Sequence, residues 1–131
     1  MEAGAAGRAA RLRHDLGKYI RLSAPASIEN DTEALRARLA ADVLATRTGP
    51  GGAVPAGDVF RAWMREGGGA LSDLPPYAEP LRRIRRSLET LETLARKLAT
   101  LSRPELERLD GLTRAIAEEC RALTSAGREP R

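Results

Sequence analysis

Apolar residues recur at three- and four-residue steps along most of the chain, the repeat of helices that bury one face and leave the other to polar side chains. Ala9, Leu12, Leu16, Tyr19 and Ile20 form one such stripe and predict a first helix over about residues 5–22. Leu35, Leu39 and Val43 predict a second over about 32–47, capped by Asn30 or Asp31 and closed before Gly49-Pro50-Gly51-Gly52. A short helix near 57–66 carries Phe60, Trp63 and Met64, and Gly67-Gly68-Gly69 stops it. Pro75, Pro76 and Pro80 then lead into the longest segment, about 79–101. There Leu81, Ile84, Leu88, Leu91, Ala95 and Leu98 make a heptad-like seam with Leu94 and Leu101 beside it. Ser102 with Glu105 three residues on is a capping box, and Pro104 sits at a helix-start position. A last helix therefore begins at once and runs to about 125, with Leu106, Leu109, Leu112, Ile116, Cys120 and Leu123 inward.

So short a connection predicts an antiparallel hairpin from the last two helices, and the first two form a second, looser one. The expected fold is a single all-α domain over 1–131, a four-helix bundle of two hairpins with an additional short helix. Short mobile ends are expected at 1–5 and 126–131. Residues 49–57 and 67–76 read as loops, and no internal repeat has a fixed period.

Composition sharpens this picture. Ala, Leu, Arg, Lys and Glu supply 75 of 131 residues while Val and Ile supply 7, which starves any sheet of the side chains that pack on a pleat. The length is that of one ordinary domain, against a hinged enzyme with a separate cofactor domain. With four aromatic residues the chain lacks the stacking platform of a single-strand nucleic-acid binder. One cysteine and one histidine provide neither an internal disulfide nor the ligand set of zinc. Gly67-Gly68-Gly69 lacks the Lys-Ser/Thr end of a phosphate-cradling loop, so neither cofactor nor metal is expected. Charged residues interrupt the alanine-rich start, and no stretch has the length of an apolar membrane span, so the cytoplasm is the expected compartment.

Charge is uneven within a net +4. Residues 1–25 carry five basic and two acidic groups, 26–80 five and eight, 81–101 six and two, and 102–131 six of each. The basic regions are the first helix and the start of the longest one, where Arg82, Arg83, Arg85 and Arg86 cluster.

The single histidine, His14, falls almost opposite the apolar stripe of the first helix and should face water. Arg11 and Lys18 lie three before and four after it, with Arg21 a turn further and Gly17 three ahead. Like charges at that spacing cost a few tenths of a kcal/mol per pair, and a mid-helix glycine about 1 kcal/mol against alanine. That outer face is therefore costly for the helix. A nucleophilic imidazole, a glycine that removes bulk beside it and cations to offset phosphoryl charge are the parts a phosphorylated histidine uses. Asp15 could hold the ring proton or orient a partner group.

At Arg13-His14-Asp15-Leu16-Gly17-Lys18 the sequence resembles the phospho-acceptor segment of two-component signalling proteins: histidine phosphotransfer domains and the dimerisation hairpins of sensor kinases. Phosphotransfer domains place lysine before glycine, and here Gly17 precedes Lys18. The resemblance implies a phosphocarrier without its own ATP-binding domain, His14 as acceptor, with Lys18, Asp15, Arg11 and Gly17 around it. It also implies a response-regulator receiver or sensor histidine kinase as partner, with the chain a monomer or a homodimer. The same letters resemble the His-Asp-x-Gly-Lys box of HD-type metal phosphohydrolases, a reading that fails because the chain has no further histidines to hold metal. Arg21, Arg82, Arg83 and Arg86 are candidate partner-docking residues. The alternative is a helical adaptor or nucleic-acid-associated bundle working through the Arg82–Arg86 patch. Nucleic acid is the less favoured partner, because no recognition-helix turn or RNA-binding aromatic pair is visible.

Overall fold

The computed structural model describes residues 2–20, 22, 30–43 and 55–126. Every regular element among them is helical, in the order α1 (Glu2–Gly17), α2 (Thr32–Val43), α3 (Pro55–Arg65), α4 (Pro75–Ala95) and α5 (Arg103–Ala126). Two 3-10 helices, Gly68–Asp73 and Leu98–Thr100, join α3 to α4 and α4 to α5.

The boundaries follow from local chemistry. Asp31 caps α2, its Oδ1 accepting from the Glu33 N–H at 3.1 Å and its carbonyl from the Leu35 N–H at 3.0 Å. Residues 44–47, expected to continue that helix, lie outside the described residues. At the head of α5, Glu105 reaches back as the capping box requires: its carboxylate accepts from the Ser102 N–H at 3.0 Å and the Ser102 hydroxyl at 3.1 Å.

Three expectations need correction. The first helix ends at Gly17, not near 22. The Lys18 N–H donates to the Asp15 carbonyl at 3.3 Å and the Tyr19 N–H to the Leu16 carbonyl at 3.0 Å, tightening the last turn, and a bond from the Leu22 N–H to the Ile20 carbonyl then bends the chain away. Ile20 and Leu22 are buried beyond the helix end, so apolar burial continued past the point where helical geometry stopped. The helix expected over 79–101 begins at Pro75 instead of following the prolines, and at 21 residues it is shorter than α5, which has 24. The first positions of a helix need no amide hydrogen, so Pro75 and Pro76 start it while the Tyr77 and Ala78 N–H groups donate to the Leu74 carbonyl. That same helix stops at Ala95, not 101. Leu98 and Leu101 stay buried through a turn and a 3-10 helix that keep the apolar seam without the α-helical frame.

The core gathers around α5. Its Leu106, Leu109, Ile116, Cys120 and Leu123 are buried, against Leu81, Ile84, Leu88 and Leu91 of α4, which runs antiparallel to it. α1 packs on α5 with Leu12 and Leu16 and also leans on α3; α2 packs on α5 and on the second 3-10 helix with Leu35 and Leu39. α3 closes one side through Phe60 and Trp63, whose rings stack with centroids 6.4 Å apart. No described helix is long and apolar enough to cross a membrane.

Candidate functional site: the His14 face of α1

α1 is fixed from behind. Ala9, Leu12 and Leu16 are buried, and from the α3 side the Trp63 Nε1–H donates to the Arg8 carbonyl at 3.1 Å. The Trp63 ring lies on Gly68, where a Cβ would overlap the indole. The next residue back, Gly67, has φ 122°, a conformation that favours glycine, and it sits beside the Arg8 guanidinium. The glycine run is thus a corner that lets the tryptophan reach α1.

His14 is exposed in the last turn of α1, as its wheel position predicts. Gly17 is exposed too, and a Cβ there would meet only Leu22 Cδ1 at 3.8 Å, an ordinary contact. Gly7, two turns before His14 on the same face, would meet nothing within 4 Å; sequence reasoning passed over it, although its seven-residue spacing from His14 was the available signal. Around the imidazole there is consequently little bulk.

Lys18 is exposed and lies in the turn just after α1, within the bond from the Ile20 N–H to the Leu16 carbonyl at 3.0 Å. Arg11 is on the helix and 68% exposed, and two carboxylates flank it: Asp15 at 3.6 Å and Glu66, just past the end of α3, at 4.0 Å. Asp15 therefore engages Arg11, and Glu66 is a member of the face that sequence reasoning missed. Only the fold of the 65–68 corner brings it there. Arg21 lies outside the described residues.

The second basic cluster is partly neutralised. Arg82 pairs with Glu79, and Arg83 with Glu119 of α5 at 3.5 Å. Arg85 and Arg86 are exposed with no carboxylate at ion-pair distance among the described residues. The cluster lies on α4, whereas α1 packs on α5, α3 and the first 3-10 helix.

Elsewhere, polar groups serve architecture. Asp110 is 8% exposed and accepts from Arg38 at 2.7 Å and Arg114 at 2.8 Å, tying α2 to α5. Arg36 donates to the Leu98 and Leu101 carbonyls at 2.8 and 2.9 Å, satisfying the turn between α4 and α5. It also borders a shallow groove of about 500 Å³ walled by Ala37, Ala40, Ala95 and Leu98, but its guanidinium is committed to those carbonyls and to Glu33. Arg61 bridges Asp58 at 2.7 Å and Glu92 at 3.0 Å; the hydrogen bonds, that to Glu92 foremost, hold it above the usual guanidinium range. Gly57 leaves the space the Glu92 carboxylate occupies. Burial pushes the Cys120 thiol up to about 12, which makes it an inert core residue and not a nucleophile. Among the described residues no three His, Cys, Asp or Glu side chains converge as a metal site.

No protein-family model, curated protein or solved structure matches this chain.

Proposed function

We propose that the protein is a histidine phosphocarrier of a phosphorelay, taking a phosphoryl group on His14 from a receiver-domain aspartate, or a sensor kinase, and passing it on. The observation that carries this reading is the placement of the only imidazole. It is exposed on a helix whose opposite face is held by α5 and α3, between glycines that leave room for another protein's active site. In this reading α1, α2, α4 and α5 serve as the four helices of a bundle, and α3 braces the phospho-acceptor helix. Transfer from an aspartyl phosphate breaks the P–O bond and forms an N–P bond. The carboxylate leaves, and the imidazole N–H proton passes to solvent. Phosphoryl transfer asks the protein chiefly for position and charge stabilisation, and the braced helix and Lys18 provide these.

Incubation with a panel of phosphorylated receivers, comparing the native chain with His14→Gln, tests the proposal. The expected result is an acid-labile label on the native chain alone; absence of label, or equal label on both, overturns it. The second reading, an adaptor that docks through α4, is favoured by two exposed arginines of that helix, Arg85 and Arg86, with no carboxylate at ion-pair distance among the described residues. Binding to a partner that survives His14→Gln and is lost in Arg85→Glu/Arg86→Glu would establish that reading instead.

A further inference from the structure

We infer that Glu66 regulates the His14 face as a positioning residue acting through Arg11, lowering the rate at which the imidazole accepts phosphoryl groups. This rests on the phosphocarrier reading and adds a control to it. Arg11 stands three residues before His14, close enough on a helix for its charge to act on an anion arriving at the ring. Two carboxylates flank that guanidinium, one from its own helix and one from the end of α3, so it presents no net positive charge to the approaching anion. Asp15 belongs to the same helix turn and comes with the sequence. Glu66 arrives only because Trp63 is bonded to the Arg8 carbonyl and Gly67 turns the chain at once after it. The same three-residue step separates Arg8 from Arg11 and Trp63 from Glu66, so the indole bond fixes the register that delivers the carboxylate. With Glu66 neutralised or moved aside by a partner, Arg11 would face the phosphoryl group with less compensation.

The test uses the full chain and potassium phosphoramidate, a small anionic donor that needs no partner protein. His14 nitrogen attacks phosphorus, the N–P bond forms, the donor's P–N bond breaks with loss of ammonia, and the imidazole proton goes to solvent. Labelling rates are measured at low and high salt for the native chain, Glu66→Gln, Arg11→Gln and the double variant, with unfolding midpoints recorded for each. The pair is exposed, so Glu66→Gln is expected to speed labelling at low salt by roughly two- to fivefold, with the gain vanishing as salt screens it. In the Arg11→Gln background the gain should shrink severalfold, a coupling that a purely structural role of Glu66 would not produce. Label on His14 with no change in Glu66→Gln, or an equal gain with and without Arg11, overturns the inference and leaves the carrier reading standing. No label on His14 in the native chain overturns both.

Discussion

The indole Nε1–H of Trp63 is bonded to the backbone carbonyl of Arg8, 55 residues earlier, at 3.1 Å. This one bond sets how α3 lies on the helix that carries His14. Trp63→Phe keeps a ring over Gly68 and removes the donor, so it should cost about 0.5–1.5 kcal/mol, a neutral hydrogen bond's worth, in urea unfolding. Trp63→Ala should cost about 3–5 kcal/mol by emptying a buried site.

The glycines divide by what a methyl group would meet. Gly7 and Gly111 are helical with nothing within 4 Å, so each change to alanine should raise stability by about 0.5–1 kcal/mol. Gly68→Ala should do the opposite, because its Cβ would overlap the Trp63 ring. Thermal melts of the three single variants check the sign of each effect.

On the His14 face, Gly17→Leu should block phosphoryl transfer from a receiver while leaving the fold intact, since its Cβ has room but the remaining side chain projects where a partner must approach. Lys18→Glu should slow transfer most at low salt, because a receiver site built of carboxylates is steered by positive charge. Rates measured across ionic strength, alongside circular dichroism, decide both; unchanged rates would remove this face as the docking surface.

Asp110 ties α5 to α2 through Arg38 and also accepts from Arg114 of its own helix, and Asp110→Asn should cost about 1.5–3 kcal/mol by weakening charge-assisted bonds, the one to Arg38 being mostly shielded from water. Arg114→Gln should cost under about 1 kcal/mol, because that partner is half exposed. Equilibrium unfolding of the two variants gives the comparison.

Glu105 carries the pH dependence of the α5 cap. Bonds from the Ser102 N–H and hydroxyl hold its carboxyl below the ordinary glutamate value of 4.5. A carboxyl depressed on folding stabilises the native state above its unfolded value, and that contribution is lost as pH falls through the folded value. Glu105→Gln should therefore lessen the loss of stability on acidification below 4.5, measured by urea unfolding at descending pH.

Helical class was legible before any coordinates, because scarce Val and Ile and a three-four apolar spacing admit little else. The capping box at Ser102-Glu105 was equally legible, and the cap of α2 was legible down to Asn30 or Asp31, since each is satisfied within a single turn. The outward direction of His14 followed from wheel arithmetic alone. Helix ends were less so: at Leu22, Leu98 and Leu101 the chain kept burying apolar side chains after the α-helical bonds had stopped, and periodicity records burial, not backbone bonding. What surrounds His14 was decided only in three dimensions. Whether Arg11 meets a second carboxylate besides Asp15 depends on where Glu66, 55 residues later, comes to lie, and that depends on an indole bond and a positive-φ glycine joining parts of the chain no local pattern connects.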